Sequence, residues 1–534
     1  MRSPAVCTVR ILDPRNAFRA KKLEEVLSGF EHSSEKTVTV VGGGVAGMSA
    51  ACALAEAGLR VQLVERRGYL GGRASSYRHP GVDEVIDNCQ HVLFGCCTNL
   101  SGFYHRIGVA EKIQWTSEMT MIEPGGCRSL LGPSRLGPFE LPAPLHALPK
   151  LLTASAFTLA DKLALARAFS ALLRPVPSDS AESLGSWLHR HKQTEGALNR
   201  FWRLVIASAL NADIDAIALP YAAKVIRELF MNSAFAGSMG MSTVPLSELY
   251  AGAEEFLKRR GSEVLFNTNV EAAEWDEESA QWTINTRTGT LMSGLLVLAL
   301  PFEATARLLP NMPPAAGAEA LGAQLERHRH WPICSVHLWF DREITTLDHA
   351  VLLDRELHWM YNKSRLQPWR KGKGSYLELV VSASRSFAAL ERNDAIALAV
   401  SELAEFFPAV AAAKLEKAAL IKEVRATFGV PPGIDAARPS AVSPWPNCFL
   451  AGDWTATGWP STMESAARSG HLAAEAICNA TGDPRSFLDA DLKPTGLMRW
   501  MRAGNREQGS GNRGQGTGIR EQGIGNRDQS LRCG

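Results

Sequence analysis

Several features are scarce or missing in this 534-residue chain, and each absence excludes a class of protein. There is no charge excess, since 57 Lys and Arg residues face 55 Asp and Glu residues, so we expect no nucleic acid partner. The ten cysteines form no CxxC pair, so we expect no metal site. We expect the cysteines to be free thiols in a reducing cytosol. No apolar run reaches about 18 residues, so no membrane-spanning helix is predicted.

The two ends of the chain differ from its middle. Residues 1–36 carry several Arg and Lys residues but no apolar stretch of the secretory type, which predicts a cytoplasmic protein. Gly504–Ser530 repeats a motif of Gly, Asn, Arg and Gln with almost no large apolar residues. Such a segment buries too little surface to offset its chain entropy, so we predict a disordered tail.

Strand-like and helix-like patterns alternate between these ends, which predicts an α/β fold with a Rossmann-like domain interleaved with a mixed α+β domain. The predicted strands are Thr37–Val41, Leu59–Glu65, Val264–Trp275, Leu295–Leu300, Ile333–Phe340, Tyr376–Ser382 and Cys448–Ala451. The predicted helices are Gly47–Ala57, Asp161–Leu173, Leu246–Arg260, Arg392–Phe407 and Ser461–Thr481. The predicted organisation is an extension at 1–36, nucleotide-binding segments at 37–120, 241–300 and 441–482, second-domain segments at 121–240 and 301–440, and a tail at 483–534.

A glycine-rich turn stands between the first predicted strand and the first predicted helix, within VTVVGGGVAGMSAACALAEAGLRVQLVE at 38–65. Gly42 permits the tight turn, Gly44 lets the backbone approach a pyrophosphate, and Gly47 lets the helix pack closely on the sheet. The helix N-terminus offers free N–H groups to the anion, and Ala46, just before the predicted helix, is a further candidate cofactor residue. The strand, turn and helix together predict a dinucleotide site.

An acidic residue ends the following strand. Glu65 lies 23 residues after Gly42, where a carboxylate accepts hydrogen bonds from the adenosine ribose and disfavours a 2′-phosphate. This pattern favours FAD or NAD over NADP, and the glycines alone leave those two open.

Two further segments resemble motifs of the amine oxidase and phytoene desaturase superfamily of flavoproteins. The first is ERRGYLGGR at 65–73, and the second is FLAGDW at 449–454 followed by Gly458, Pro460 and Thr462-Met463-Glu464. The resemblance implies FAD as the cofactor, with Arg66, Gly72 and Arg73 in the first motif. It also implies Gly452 and Asp453 near the ribityl or pyrophosphate group, Thr462 and Met463 at the flavin ring, and the backbone of Val270 at the adenine.

One segment is more specific than these motifs. Residues 87–96 read DNCQHVLFGC and resemble the DNGQHVLLGCY segment of hydroxysqualene dehydroxylases, FAD enzymes of bacterial hopanoid synthesis. Similarity continues at PICSVHLWFD (332–341) and WMYNKS (359–364) and covers about residues 37–482. The chain departs from the family at Cys89, where Gly is expected, and at Cys97, where Tyr is expected.

The resemblance implies reductive dehydroxylation of hydroxysqualene to squalene. In our hypothesis the allylic hydroxyl leaves as water, and the resulting carbocation takes a hydride from reduced flavin. Such a site needs an acid and an apolar tunnel that excludes water. Asp87 and His91 are the nearest candidates for acid or relay, although the same residues also suit a purely structural turn that braces the flavin.

The expected substrate is a hydrophobic isoprenoid, so we expect peripheral contact with the inner face of the cell membrane. The candidate element is 145–173, which combines Leu, Ala and Phe with Lys150, Lys162, Arg167 and Arg174. An ordinary buried helix explains the same periodicity. No second GxGxxG for a nicotinamide cofactor is evident, so the electron donor is left unidentified.

Three alternative functions stay open. A carotenoid desaturase of the phytoene type removes a hydride from a polyene with the same flavin fold. An amine oxidase is disfavoured because nothing indicates an amine pocket, and Cys448 precedes the Gly452-Asp453 pair. A flavin-binding lipid carrier without chemistry is the third alternative.

Overall fold

The computed structural model describes residues 37–136, 139–367, 370, 372 and 374–500. The predictions for the N-terminal extension at 1–36 and for the repeats at 504–530 lie outside these residues. Every cysteine in the described ranges has a free thiol.

The described chain forms 22 strands and 15 α-helices, together with short 3-10 turns and two π-helical segments. The strands are β1 (Thr37–Val41), β2 (Arg60–Val64), β3 (Ser76–His79), β4 (Glu84–Asp87), β5 (Val92–Phe94), β6 (Ile113–Thr116), β7 (Met119–Ile122), β8 (Arg128–Leu131), β9 (Arg135–Leu136), β10 (Phe139–Glu140), β11 (Met239–Ser242), β12 (Glu263–Leu265), β13 (Val270–Asp276), β14 (Gln281–Thr286), β15 (Gly289–Ser293), β16 (Leu295–Leu298), β17 (His330–Phe340), β18 (His349–Leu352), β19 (Trp359–Asn362), β20 (Ser375–Ser382), β21 (Leu415–Phe428) and β22 (Cys448–Leu450). The helices are α1 (Val45–Glu56), α2 (Thr98–Arg106), α3 (Leu148–Thr153), α4 (Leu159–Leu172), α5 (Leu184–Arg190), α6 (Glu195–Ala197), α7 (Leu204–Leu210), α8 (Leu219–Ile226), α9 (Leu246–Lys258), α10 (Phe302–Leu308), α11 (Ala318–Leu325), α12 (Lys363–Leu366), α13 (Arg385–Ala389), α14 (Arg392–Phe406) and α15 (Met463–Ala480).

A parallel sheet with the strand order β12-β2-β1-β16-β22 forms the first domain. The central strands β1 and β16 are apolar and almost wholly buried, as expected for parallel strands that are covered on both faces. Helices α1 and α15 pack together beside this sheet. Gly470 permits this contact, because a Cβ there would lie 2.3 Å from the carbonyl oxygen of Ala46.

A seven-stranded sheet with the order β21-β17-β20-β19-β18-β7-β8 forms the centre of the second domain. All neighbours are antiparallel except β18 and β7. One face packs on α14 through a cluster of buried apolar side chains. The opposite face of β17, β19 and β20 contributes Ile333, Trp359, Tyr361 and Val380 to a cavity shared with the first domain.

The parallel sheet takes its strands from residues 37–64, 263–298 and 448–450, and the second domain is inserted between them. The predicted fold class, a Rossmann-like domain interleaved with a mixed α+β domain, is therefore confirmed. The predicted strands and helices are present with shifted ends, with one exception. None of the helices in the described ranges has the length and hydropathy needed to cross a bilayer.

The exception is the single strand predicted at Val264–Trp275, which is wrong. The chain forms β12 at the edge of the parallel sheet and then β13 in a separate antiparallel sheet with β14 and β15. Between them, Asn267 has a φ of 55°, in the left-handed region that Asn tolerates better than most residues. The resulting turn sends the two apolar runs into different sheets.

Candidate functional site

A cavity of about 850 Å³ runs between the two domains at the carboxyl ends of the parallel strands, where ligands bind in open α/β sheets. Twelve of the thirteen predicted cofactor residues line it: Gly42, Gly44, Ala46, Glu65, Arg66, Gly72, Arg73, Val270, Gly452, Asp453, Thr462 and Met463. Gly47 does not. Of the two predicted catalytic residues, His91 lines the cavity and Asp87 does not.

The three glycines of the first turn have different surroundings. A Cβ at Gly42 would lie 2.5 Å from the carbonyl oxygen of Ala299, and the residue has a φ of 114°. A Cβ at Gly47 would lie 1.8 Å from the carbonyl oxygen of Gly42, so this position serves the packing of α1 on the turn. A Cβ at Gly44 would meet only the Cα of Gly72, at 4.0 Å. Space beside Gly44 is therefore open, and a pyrophosphate fits there at the N-terminus of α1.

Glu65 follows β2 and is buried at the edge of the cavity. Its Oε2 accepts a hydrogen bond from the N–H of Gly43 at 2.8 Å, and its Oε1 accepts one from the N–H of Arg67 at 2.8 Å. These bonds fix the carboxylate in place, and each oxygen retains the capacity to accept a further bond. The geometry thus suits the expected contact with ribose hydroxyls.

An ion pair links the two motifs that lie far apart in the sequence. Arg73 Nη2 is 2.5 Å from Asp453 Oδ1, and Ser461 donates from its hydroxyl to Asp453 Oδ2 at 2.5 Å. Burial alone raises the pKa of Asp453, but Arg73 and the hydroxyl of Ser461 bring that pKa below its ordinary value. The carboxylate is therefore charged at neutral pH and faces the cavity.

The long helix α15 begins at the cavity. Thr462 is its N-cap and accepts a hydrogen bond from the N–H of Ser465 at 3.1 Å. The segment 460–464 lines the cavity, so the positive end of the helix dipole is directed there. In a flavoprotein this end stabilises negative charge on the reduced ring.

Glu464 is a site residue to which the sequence analysis assigned no role. Its carboxylate accepts hydrogen bonds from the backbone N–H groups of Asn99 and Leu100, at 3.2 and 2.8 Å. These are the first free N–H groups of α2, so the side chain joins the beginnings of two helices beside the cavity. Burial raises the pKa of this carboxyl. In the sequence, the position of Glu464 in the Thr462-Met463-Glu464 run was the feature that could have indicated a role at the site.

Residues 88–91 form one wall of the cavity. Asn88 accepts from the N–H of Ser75 at 3.1 Å and donates to the carbonyl of Arg73 at 2.6 Å. His91 Nδ1 lies 2.7 Å from the carbonyl oxygen of Cys89, and burial lowers the pKa of His91. The imidazole is therefore neutral at neutral pH.

Asp87 lies behind this wall in a buried ion pair. Its Oδ2 is 2.6 Å from Lys363 Nζ, and its Oδ1 accepts from the hydroxyl of Ser76 at 2.5 Å. Although burial raises the pKa of Asp87, the charge of Lys363 brings it below the ordinary value. Asp87 is thus ionised, and we expect it to act on the site through its neighbours and not by direct proton transfer.

Lys363 connects the second domain to the cavity wall. Besides Asp87, its Nζ donates to Gln90 Oε1 at 2.8 Å and lies 3.5 Å from Glu378 Oε2. Lys363 belongs to the WMYNKS run but had no predicted role, and Glu378 was not among the predicted site residues. The partners of such a buried charged residue come from distant segments, so the local hydropathy pattern does not reveal its role.

The part of the cavity beyond this wall is lined mainly by apolar side chains. Its lining includes Met119, Val205, Ala209, Leu229, Phe230, Met239, Ile333, Trp359 and Val380. Of the Trp and Tyr residues at 331–361, Trp359 and Tyr361 line it, whereas Trp331 and Trp339 lie outside it. An apolar chamber that continues from a dinucleotide site suits a hydrocarbon substrate.

Comparison with known proteins agrees with this arrangement. Residues 45–478 match the family model of flavin-containing amine oxidoreductases, and residues 2–79 match that of pyridine nucleotide-disulphide oxidoreductases. The 15-cis-phytoene desaturase of Synechococcus elongatus is 25% identical over 462 residues, covering 82% of this chain and 95% of that protein. A probable zeta-carotene desaturase of the same organism is 26% identical over 491 residues, covering 83% and 98%.

Solved structures share the fold at low identity. A putative protoporphyrinogen oxidase from Exiguobacterium sp. 255-15 has a TM-score of 0.59 at 17% identity and covers 84% of this chain and 99% of that one. A putrescine oxidase has a TM-score of 0.63 at 15% identity, covering 83% and 99%. The family model spans most of the chain, and the glycine turn, Glu65 and the Arg73–Asp453 pair fit a flavin dinucleotide. This chain therefore belongs to the flavin-containing amine oxidoreductase family and is an FAD-dependent oxidoreductase.

Proposed function

We propose that this enzyme transfers a hydride between FAD and a long isoprenoid hydrocarbon, and that the reaction is reductive dehydroxylation of hydroxysqualene to squalene. The observation that carries the proposal is the polar wall 88–91, which lies between a buried ion cluster and a mainly apolar chamber. This wall belongs to the segment 87–96 that resembles hydroxysqualene dehydroxylases. A substrate that is hydrocarbon except for one hydroxyl suits such a chamber.

FAD supplies the hydride in this proposal, and the residues of the chain do the rest. The chamber excludes water, which would otherwise capture a carbocation. The wall binds the hydroxyl near the flavin end of the cavity, and Gln90, held by Lys363 at 2.8 Å, is positioned to orient it. The N-terminus of α15 favours the reduced, negatively charged ring.

The second candidate is desaturation of a carotenoid precursor, and the relatives favour it. Phytoene and zeta-carotene desaturases align over more than four fifths of this chain. The same apolar chamber accepts a polyene, and the hydride then moves from the hydrocarbon to oxidised FAD. The two candidates thus differ in the direction of hydride transfer and in the need for a proton donor.

One anaerobic experiment separates them. The purified enzyme is reduced with dithionite, mixed with hydroxysqualene, and followed by flavin absorbance and by mass spectrometry of squalene. We expect reoxidation of one flavin for each squalene formed. In the parallel arm, oxidised enzyme is mixed with phytoene. If phytoene reduces the flavin and no squalene forms from hydroxysqualene, the dehydroxylase proposal is overturned in favour of the desaturase. A flavin that is inert in both arms overturns both candidates.

We also propose that the enzyme collects this substrate from an anionic lipid bilayer. Exposed apolar side chains gather on α3, on the first turns of α4 and on the hairpin β9–β10. Leu159 and Leu163 of α4 are 72% and 60% exposed, whereas Leu165 and Ala168 on its other face are buried. The predicted amphipathic segment 145–173 is therefore partly core and partly surface. We call the exposed set the apolar surface, and it consists of Phe139, Leu145, Leu148, Leu152, Leu159 and Leu163.

The elements of this surface are joined by hydrogen bonds. Ser134 donates from its N–H to the carbonyl of His146, and Lys162 Nζ donates to the carbonyl of Leu152 at 2.7 Å. Leu497 is bonded to Ala143, which brings the exposed Trp500 to the same region. Exposed Arg135, Arg167 and Arg499 accompany these residues. Apolar side chains with a basic rim suit the headgroup region of an anionic membrane.

Flotation with vesicles of phosphatidylglycerol and phosphatidylcholine tests this contact. The variant L159Q/L163Q removes two exposed apolar groups and is expected to lose most of its vesicle binding while keeping its thermal stability. The matched control M292Q/V442Q changes two equally exposed apolar residues on other elements and is expected to bind like the wild type. Equal binding by all three proteins overturns the proposed surface, and no binding by the wild type overturns membrane contact itself.

A further inference from the structure

A cluster of ionisable side chains lies under the cavity wall, in the interface between the two domains. Its members are Asp87 from β4, Lys363 from α12 and Glu378 from β20, and the exposed fractions of their side chains are 5%, 2% and 0%. Two carboxyl groups thus share one ammonium group in a site without solvent. Because isolated charges are disfavoured there, the three groups retain one more proton than they would in water.

The hydrogen bonds decide which carboxyl group holds this proton. Asp87 receives bonds from Lys363, from the hydroxyl of Ser76 and from the N–H of Leu246. Glu378 receives one bond, from the hydroxyl of Ser335 to Oε1 at 2.9 Å. Its Oε2 has no hydrogen-bond partner among the described residues, and Lys363 Nζ stays 3.5 Å away. Asp87 is therefore the anion and Glu378 the neutral acid, which agrees with the raised pKa of Glu378, caused first by burial.

The acid lies next to the substrate chamber. Tyr361 is the register partner of Glu378 on the neighbouring strand β19, so the two side chains share one face of the sheet. Tyr361 lines the cavity. On the other side, His337 is the partner of Glu378 on β17 and reaches the same hydroxyl of Ser335 through Nε2 at 3.1 Å.

We propose that Glu378 is the proton source for the leaving hydroxyl of the substrate and that it acts through the phenol of Tyr361. This inference rests on the proposed dehydroxylation. The Tyr361 O–H donates its proton to the substrate oxygen as the carbon–oxygen bond breaks, and the proton of Glu378 replaces it through a bridging water, because no direct hydrogen bond joins the two side chains. Water leaves, the carbocation accepts the hydride that FAD supplies, and the products are squalene, oxidised FAD and the Glu378 carboxylate. A proton from solvent then restores the acid, so the reaction balances overall: the hydride replaces the hydroxyl group, and the proton leaves with that hydroxyl as water.

The neighbours of Glu378 keep this proton in place until substrate binds. Lys363 stays paired with Asp87, whose negative charge opposes the effect of the ammonium group on Glu378. Burial lowers the pKa of His337 to about 3, so its ring is uncharged near neutral pH. Burial also raises the pKa of Tyr361, which keeps the phenol protonated. The titratable groups that face Glu378 are Asp87, Cys89, His91, His337, Tyr361, Lys363 and Tyr376.

Infrared difference spectroscopy tests the protonation state without any turnover. Wild-type holoenzyme at pH 7 is expected to show a carboxylic acid carbonyl band that is absent in Glu378→Gln. The variant Asp87→Asn removes the anion that competes for Lys363, so Glu378 ionises in it and the same band is lost although the glutamate is present. A spectrum of Glu378→Gln with every wild-type acid band retained overturns the proposal.

Turnover tests the role. With reduced enzyme and hydroxysqualene, Glu378→Gln and Tyr361→Phe are each expected to lower the rate of squalene formation by roughly 10²-fold, a typical effect of losing a general acid. Glu378→Asp is expected to recover part of the rate, and the wild-type rate is expected to fall as pH rises above the raised pKa of Glu378. The control Glu402→Gln changes another buried glutamate, on α14, and is expected to keep the wild-type rate.

The outcomes separate the two proposals. If wild-type enzyme forms no squalene, the dehydroxylation is wrong, and the inference about proton delivery falls with it. If wild-type and Glu378→Gln enzymes form squalene at the same rate, the reaction stands and the role of Glu378 is wrong. Loss of FAD from Glu378→Gln, with the turnover per bound FAD unchanged, also overturns it in favour of a purely structural role.

Discussion

Arg73 and Asp453 form an ion pair at 2.5 Å although 380 residues separate them. Arg73 follows the glycine pair of the first FAD segment, and Asp453 precedes α15 in the last one. The pair therefore joins the beginning and the end of the cofactor site, and its side chains lie at the cavity.

We expect Asp453→Asn to lower both FAD content and stability. Removal of one partner from a buried ion pair leaves the other charge unpaired, which typically costs about 3–5 kcal/mol; because Arg73 is 30% exposed, the lower end is expected. The control Asp83→Asn breaks the exposed pair with Arg78 and is expected to change the free energy of unfolding by under about 0.5 kcal/mol. Chemical denaturation and flavin absorbance per protein measure both effects, and equal behaviour of the two variants contradicts the prediction.

Stability of the wild-type holoenzyme is expected to fall on acidification. The pKa of Asp453 and that of Asp87 are both lowered in the folded state. Their contribution is therefore complete above the unfolded pKa of about 3.9 and is lost as pH falls through the folded values. Unfolding in urea between pH 7 and pH 3 measures this, and Asp453→Asn is expected to show a weaker dependence on pH. A dependence as steep as that of the wild type would contradict this assignment.

Gly44 and Gly47 are expected to fail in different ways when replaced by Ala. A methyl group at Gly47 meets a carbonyl oxygen at 1.8 Å, so the fold itself is expected to be destabilised by at least about 1–3 kcal/mol. A methyl group at Gly44 meets no protein atom nearer than 4.0 Å, so the apoprotein is expected to keep its Tm while FAD binding weakens. Gly294→Ala, with open space around it, serves as the control. A Gly44→Ala protein with normal FAD affinity would show that the pyrophosphate does not approach this turn.

His91→Ala is expected to retain FAD and to slow product formation. The one hydrogen bond of its ring is to the carbonyl of Cys89, so its removal leaves the cofactor contacts in place. Because the pKa of His91 is lowered, the wild-type rate is expected to show no inflection near pH 6.5 from this group. Loss of flavin from the variant would instead identify a bracing role.

Lys363→Met is expected to destabilise the protein strongly at neutral pH. The variant leaves Asp87 and Glu378 buried together without a cation, which is expected to lower the free energy of unfolding by about 3–5 kcal/mol. Acid removes this cost, because Asp87 then takes up a proton and becomes neutral like Glu378, so the deficit relative to wild type is expected to shrink toward pH 5. Adding Asp87→Asn to Lys363→Met is expected to recover most of the stability at pH 7. If the double variant is as unstable as the single one, the ion pair is not the reason for the loss.

The cofactor half of the site could be predicted from the sequence because its signals are local. The glycine turn, Glu65 and the 449–464 run each combine a strand end, a turn and a helix start within a few residues. The substrate half could not be predicted in this way. Glu378 lies inside a buried strand with the burial pattern of an apolar one, and its partners come from β4, β17 and α12.

One strand was predicted wrongly for a related reason. The run 264–275 has the apolar content of a single strand, but Asn267 turns the chain and divides it between two sheets. A residue in the left-handed region changes the direction of the chain, but it leaves the hydropathy pattern of the sequence unchanged. The position of Asp87 was also not evident from the sequence. Its motif predicted a place near the flavin, whereas its ion pair with Lys363 shows that it lies behind the wall.

The parallel sheet takes β22 from the last sixth of the chain, and the Asp453 carboxylate and the start of α15 follow directly. During synthesis on the ribosome, the glycine turn emerges some 400 residues before its partners. The nascent chain must therefore hold an open half-site through most of translation, with β16 lacking its outer neighbour. FAD is therefore expected to bind only after residue 448 and the segment that follows it have left the ribosome, and a product that ends before residue 448 is expected not to retain FAD.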